Sequence, residues 1–206
     1  VEACARYVRS GKAESTKLLA LLDDASEEAV RAGSIVEHLR HFIEKGQPQF
    51  EPTDLREIAR NVPHLLGREI QREDITLRLD LHPRPLPIYA DGIQIEQIIV
   101  NLMQNAIDAI REAPSDRQEI ELQVWAAKGM GEVAVRDTGA GVSDTAIERM
   151  FEPFFTTKSH GLGMGLAISR SIVEAYGGRL WAQANAEHGM TFAFSLPVGE
   201  ELHVQD

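Results

Sequence analysis

The hydrophobic residues of this 206-residue chain change their spacing at the segment "KGQPQFEP", residues 45–52. Before that segment the spacing of the apolar residues predicts a helix over residues 16–44, whose apolar stripe packs against other helices as in a coiled coil. The stretches "VEACARYVRS" and "GKAES" indicate the end of an earlier helix and a turn. The apolar positions recur three and four residues apart, at Leu22, Ala25, Ala29, Ala32, Val36, Leu39 and Ile43.

Two helices of this kind cannot bury both apolar stripes by themselves. We therefore predict that residues 1–46 form an α-helical hairpin that is half of a four-helix bundle, completed by a second copy of the chain. A hairpin that packs on the chain's own second domain is the alternative.

A mixed pattern follows the break. Thr53 or Asp54 is positioned to cap a helix that Pro63 must kink or shorten, and Asp91 to cap the apolar helix "GIQIEQIIVNLMQNAIDAI". Because helices mix with antiparallel hairpins without regular βαβ alternation, we predict an α+β domain of two layers over residues 47–206. The strands are predicted at "ITLRLDL", "EIELQVWAA", "EVAVRD", "RLWAQA" and "TFAFSLP".

Composition limits the partners and the compartment. The chain has 32 acidic and 21 basic residues, a formal net charge of -11, so nucleic-acid binding is not expected. Its one cysteine, Cys4, allows no internal disulfide and favours a reducing, cytoplasmic compartment. No apolar run is long enough to cross a bilayer, so we expect no membrane contact by this chain. A start at Val1 is expected of a fragment.

The glycine cluster in "GLGMGLAIS", Gly161, Gly163 and Gly165, allows three interpretations. A dinucleotide-binding turn needs a preceding strand and the spacing GxGxxG, but the cluster follows "FEPFFTTKSH" and has the spacing GxGxG. A phosphate-binding segment and a flexible loop both remain compatible with the cluster alone.

Four other elements occur in order with this cluster: "NLMQNAIDA", "DTGAG", "FEPFF" and "GMTF". Together they resemble the ATP-binding domain of two-component sensor histidine kinases, the Bergerat (GHKL) fold that gyrase-like and mismatch-repair ATPases share. The stretches "AVRAGSIVEHLRHFIEKG" and "PFFTTK" are similar to the oxygen-sensor and nitrogen-regulation subgroup. The resemblance covers essentially the whole chain and implies a two-layer α/β sandwich that binds ATP and Mg²⁺.

The resemblance assigns roles to two side chains of the helix after Asp91. Asn105 is expected to bind Mg²⁺, because an amide oxygen is a hard neutral ligand for an ion that takes its other ligands from water and phosphate. Asn101, one turn earlier, is expected to face the same cleft. In gyrase-like ATPases a glutamate that activates water stands at this position. Because an amide cannot act as a base, the chain resembles a kinase more than a hydrolase.

The adenine is expected to bind at the "DTGAG" element. The resemblance implies that Asp137 accepts a hydrogen bond from the adenine amino group, which distinguishes adenine from guanine. Gly139 and Gly141 are expected to let the backbone approach the base. Thr191 is expected to complete the contact through its hydroxyl group or a water molecule.

The triphosphate is expected to bind where the glycine cluster ends a mobile lid and the next helix begins. Lys158 and His160 are expected to add positive charge there. Some relatives carry a lysine three residues after the magnesium-binding asparagine, and Asp108 stands at that position here. The other residues expected at this end of the site are Gly161, Leu162, Gly163, Met164, Gly165 and Leu166.

The family's phosphoacceptor histidine is followed by an acidic residue. None of the seven histidines of this chain precedes Asp or Glu, so we expect the acceptor upstream of Val1 and no catalytic residue of this kind within the chain. The implied function is transfer of the ATP γ-phosphate to a histidine of the dimerisation helix, with relay to the receiver domain of a response regulator. The alternative is a nucleotide-gated interaction module that transfers no phosphate. A serine kinase of the anti-sigma type shares the fold but lacks the helical leader.

Overall fold

The computed structural model describes residues 50–113, 117–158 and 163–199. They belong to the second of two compact units of the chain, Pro48–Asp206. The predicted helical hairpin of residues 1–46 lies outside the described residues, so the hairpin and the dimeric bundle stay predictions.

A mixed five-stranded sheet forms one layer of this unit. Its order is β2-β4-β5-β7-β6, in which β2 runs parallel to β4 and the other neighbours are antiparallel. A separate antiparallel pair is formed by β1 and β3. The strands are β1 (Glu51–Asp54), β2 (Thr76–Leu81), β3 (Pro87–Ala90), β4 (Glu119–Ala127), β5 (Met130–Asp137), β6 (Arg179–Ala184) and β7 (Met190–Pro197).

Helices form the second layer. The first, third and fifth helices contact one another in turn, and each contacts the sheet. They are α1 (Leu55–Leu65), α2 (Gly67–Arg72), α3 (Gly92–Glu112), α4 (Asp144–Arg149) and α5 (Gly165–Ala175). This arrangement confirms the predicted α+β sandwich of two layers.

Two aspartates begin the long helices, as predicted. The Asp54 side chain accepts a hydrogen bond from the Arg56 N–H at 3.0 Å, and that of Asp91 accepts one from the Ile93 N–H at 2.9 Å. Beyond Asp91, α3 buries one continuous apolar stripe between the sheet and its neighbouring helices. Its buried residues are Ile95, Ile98, Ile99, Leu102, Met103, Ala106, Ile107 and Ile110.

Helix α3 is joined to α5 at two levels. The Asn101 side chain donates a hydrogen bond from Nδ2 to Ser169 Oγ at 3.1 Å. Further along the pair, the Tyr176 hydroxyl group accepts from the Asp91 N–H at 3.1 Å and donates to Gln94 Oε1 at 2.9 Å. These bonds hold the two helices that flank the predicted cleft in a fixed register.

The structure also differs from expectation in places. The sequence pattern predicted no strand at β1 or β3, which are four residues each. Strand β2 was expected to be half-buried, and Leu77 and Leu81 do pack against the core, but Leu79 between them is 45% exposed on this edge strand. Pro63 lies inside α1, two residues before that helix ends at Leu65. Within the described part of the chain, no helix has the length and apolar character needed to cross a membrane.

Candidate nucleotide-binding site

The carboxyl group of Asp137 is buried at the end of β5, with only 1% of the residue exposed. Its Oδ1 accepts hydrogen bonds from the Gly139 N–H at 2.8 Å and the Met190 N–H at 3.2 Å. Burial raises the pKa of this carboxyl above its ordinary value of 3.8. The two N–H groups and the positive charge of Lys158 oppose that shift.

The second carboxylate oxygen of Asp137, Oδ2, makes no hydrogen bond to any residue in 50–113, 117–158 or 163–199. Among the described residues, Arg56 Nε is the one fully buried side-chain nitrogen or oxygen without a hydrogen-bond partner, so Oδ2 keeps access to the surface and can accept a hydrogen bond from a ligand. Asp137 therefore offers a fixed acceptor to an N–H donor, which is the chemistry that the sequence predicted for it.

Packing requires a glycine at position 139, and the backbone conformation favours one at position 141. A Cβ on Gly139 would lie 2.6 Å from the backbone carbon of Ala109 in α3, so the loop lies directly on that helix. Gly141 has a φ of +67° and faces the carbonyl oxygen of Gly189. We expected both glycines to make room for a base. The contact with Ala109 gives Gly139 a second role, in packing the loop on α3.

Asn185, in the turn between β6 and β7, was missed in the sequence. Its Nδ2 donates to the backbone oxygen of Asp137 at 2.9 Å and to that of His188 at 3.2 Å. Its Oδ1 accepts from the Thr191 hydroxyl group at 2.6 Å. Asn185 thus joins the predicted residues Asp137 and Thr191. The available signal was an Asn four residues before the glycine of "GMTF".

Replacing Asn185 should loosen this part of the site. We expect Asn185→Ala to lower the free energy of unfolding by about 1 kcal/mol, because the partly buried backbone oxygen of Asp137 loses its donor and the Thr191 hydroxyl group loses its acceptor. Urea denaturation measures the change, and Gln183→Ala on the exposed side of β6 is the matched control. Equal stability of the two variants would contradict the structural role of Asn185.

Asn105 and Asp108 on α3 both contact Lys158. Lys158 Nζ donates to Asn105 Oδ1 at 3.0 Å and to Asp108 Oδ2 at 2.8 Å. All three side chains are therefore brought together, although Lys158 is distant from the other two in the sequence. Asn101 lies apart from this group, at the α3–α5 interface, where a Cβ on Gly165 would be 2.5 Å from its Oδ1.

The described end of the glycine cluster leads into α5. Gly163 has a φ of +65°, and its carbonyl oxygen accepts from the Phe154 N–H at 3.0 Å. Met164 precedes α5, Gly165 is its first residue, and Leu166 packs against the core. No described side chain caps this helix. His160, Gly161 and Leu162 lie outside the described residues.

Comparison with known proteins agrees with this geometry. The family model for histidine kinase-, DNA gyrase B- and HSP90-like ATPases matches residues 90–200. The sensor protein FixL of Bradyrhizobium diazoefficiens is 41% identical over 193 residues, which are 93% of this chain and 38% of that protein. The chain spans between 28% and 38% of the length of the first three curated relatives.

Two solved structures extend the likeness. The catalytic domain of the histidine kinase ThkA has 33% identity and a TM-score of 0.64, over 72% of this chain and 95% of that domain. ThkA in complex with the response regulator protein TrrA has 26% identity and a TM-score of 0.77, over 96% of this chain and 57% of that one. The chain therefore belongs to the family of histidine kinase-, DNA gyrase B- and HSP90-like ATPases, and its described part is a catalytic domain of the sensor histidine kinase type.

Proposed function

We propose that this chain binds Mg²⁺ and ATP between α3 and the segments around Asp137 and α5, and presents the γ-phosphate to a histidine. The observation that carries the proposal is the buried Asp137 carboxylate, with one oxygen held by two N–H groups and the other without a described partner. The adenine amino group would supply the missing donor. An ATPase family and histidine kinase relatives support ATP as the ligand.

Asn105 is the proposed magnesium ligand. Its Oδ1 already accepts a hydrogen bond from the ammonium group of Lys158. This oxygen is therefore accessible to a cation on the side of α3 that faces Lys158. No cluster of three or more His, Cys, Asp or Glu side chains that could hold a metal is found among the described residues. A single amide ligand suits Mg²⁺, which takes its remaining ligands from water and ATP phosphates.

The amino-terminal end of α5 is the proposed site for the phosphate groups. An uncapped helix start offers free N–H groups and a positive dipole end to an anion. Gly163, Met164, Gly165 and Leu166 belong to this end of the site. The same role is proposed for His160, Gly161 and Leu162.

The chain carries no base where a hydrolase of this fold would need one. Asn101 cannot remove a proton from water because a carboxamide is not a base near neutral pH, and its Nδ2 instead donates to Ser169, which holds α3 against α5. We infer slow hydrolysis and transfer of the phosphoryl group to an imidazole, a reaction that depends mainly on positioning and charge neutralisation.

The partners follow from the same proposal. A response regulator receiver domain would accept the phosphoryl group, as the complex of ThkA with TrrA suggests for that relative. We propose homodimerisation through residues 1–46, a boundary with the catalytic domain at residue 47, and a cytoplasmic location.

Incubation of the full-length protein with radiolabelled ATP tests the function. The expected product is an acid-labile, alkali-stable phosphoprotein, whose label passes to a receiver domain. ATP binding without any label on histidine, together with nucleotide-dependent partner binding, would overturn phosphotransfer in favour of the interaction module.

Asn105→Ala tests the metal assignment. We expect Mg²⁺ to strengthen ATP binding in the unmodified chain, and we expect this gain to fall by about 10- to 100-fold in the variant. Calorimetric titration of ATP with Mg²⁺ and with EDTA measures the gain. Asn61→Ala on the exposed face of α1 is the control. An unchanged gain would rule out Asn105 as the ligand.

A further inference from the structure

Lys158 is the cation of the 151–158 segment that reaches α3. Its Nζ lies 3.0 Å from Asn105 Oδ1 and 2.8 Å from Asp108 Oδ2, and 27% of the side chain of both Lys158 and Asp108 is exposed. The Lys158 N–H also donates to Thr156 Oγ1 at 3.1 Å, which shapes the backbone of the segment at this residue.

Asp108 is oriented by its own helix. Its Oδ1 accepts from Gln104 Nε2 at 3.3 Å and from Arg111 Nη1 at 3.4 Å. Arg111 also donates to Glu73 at 2.9 Å. With Oδ1 engaged on α3, Oδ2 faces the 151–158 segment and receives Lys158. Asp108 is therefore arranged to hold the ammonium beside Asn105.

The charge of Asp108 has an unfavourable consequence for an anionic ligand. A carboxylate on the same helix face as the proposed metal ligand repels a triphosphate, and the repulsion is strong where water is partly excluded. Arg111 is shared between Asp108 and Glu73 and offsets this charge only in part, so Lys158, at the shorter distance of 2.8 Å, offsets the remainder and supplies N–H donors to phosphate oxygens.

We propose that Lys158 binds the phosphate groups of ATP and that Asp108 is a positioning residue which acts through Lys158. This inference rests on the proposed function. It assigns to Asp108 a role that depends on the lysine: with Lys158 present the carboxylate retains the cation at the site, and without Lys158 the carboxylate opposes binding. The pair also keeps the lysine near the phosphates when Mg²⁺ takes Asn105, since two cations on one oxygen repel each other.

A double-mutant cycle on the full chain tests the inference. The variants are Lys158→Met, Asp108→Asn and the two combined, with affinities for ATP, ADP and adenosine measured by calorimetry in EDTA and in Mg²⁺. We expect Lys158→Met to weaken ATP binding, and we expect this loss to be about tenfold smaller when residue 108 is Asn. This difference between the two residue-108 backgrounds should be smaller for ADP than for ATP, and it should be absent for adenosine.

The readouts separate the alternatives. If Lys158→Met weakens ATP equally in both backgrounds, Asp108 does not act through the lysine and the inference fails. If the coupling is the same for adenosine as for ATP, the pair has only a structural role and the inference also fails. If the unmodified chain binds no ATP, the proposed function itself fails. Arg60→Met and Glu57→Gln, an exposed ion pair of α1, are the controls for charge removal.

Discussion

Asp137→Asn is expected to weaken ATP binding by about 10- to 100-fold while the domain stays folded. The new amide keeps an oxygen for the N–H groups of Gly139 and Met190. Its NH₂ group then replaces Oδ2 and places a donor opposite the donor of adenine. Calorimetry measures the loss, and the preference for ATP over GTP should fall with it.

The pH dependence of the same site provides a second measurement. Because the pKa of Asp137 is raised, its carboxyl takes up a proton above the ordinary value of 3.8, and the protonated Oδ2 no longer accepts from adenine. ATP affinity of the unmodified chain should therefore decrease as the pH falls through that raised pKa, and affinity of the variant should not.

The contribution of Asp137 to the free energy of unfolding should depend on pH in the opposite direction to ATP affinity, and should increase as the pH falls. A raised pKa means that the contribution of Asp137 to stability is fully present below pH 3.8 and is lost as the pH rises through the raised value. Asp137→Asn removes the buried charge, so its thermal midpoint at neutral pH should equal or exceed that of the unmodified chain. Asp80→Asn on the exposed side of β2 is the control. If Asp137→Asn binds ATP as tightly as the unmodified chain does, Asp137 is not the adenine acceptor.

Gly189→Ala is expected to lower both stability and ATP affinity. Gly189 has a φ of +84°, a conformation that costs alanine about 1–2 kcal/mol. An added Cβ would also overlap the backbone oxygen of Asp137 and lie 2.7 Å from its Oδ1. The Met190 N–H bond to that carboxylate must then lengthen. We expect a total loss of about 2–4 kcal/mol in the free energy of unfolding.

Gly67→Ala is the matched control for this substitution. Gly67 begins α2 without a positive φ, and a Cβ there would have no atom within 4 Å. Alanine should leave the stability unchanged or raise it by up to about 1 kcal/mol. Urea denaturation of both variants provides the comparison. Equal stability of Gly189→Ala and Gly67→Ala would show that the turn before β7 relaxes without cost.

Features encoded by neighbouring residues were predictable from the sequence. The caps Asp54 and Asp91 precede their helices directly, and the strands β4 and β6 have the predicted bounds because their turn residues flank them. The order of the motifs allowed us to predict the fold and to select Asp137 and Asn105 as site residues. The roles of these residues as ligands are still predictions.

Features made by distant residues were not predictable. Lys158 meets Asn105 across 53 positions, and Asn185 meets the backbone of Asp137 across 48. The packing of Gly139 on Ala109 could not be predicted either, because a glycine in the sequence does not indicate which residue packs against it. Strands β1 and β3 are four residues each, too short to show a period, and they form by pairing with each other across more than 30 positions.

The double connection between α3 and α5 has a mechanical consequence. Ser169 bonds the middle of α3, and Tyr176 bonds the start of α3. The two helices are therefore expected to move together as one rigid body, without a change in their register. Tyr176 also contacts the ring of Phe50 edge-on, with 5.2 Å between the ring centroids, and Phe50 is the first of the described residues. If an anion that binds at the amino-terminal end of α5 displaces this helix, the displacement should therefore be transmitted through Tyr176 to Phe50.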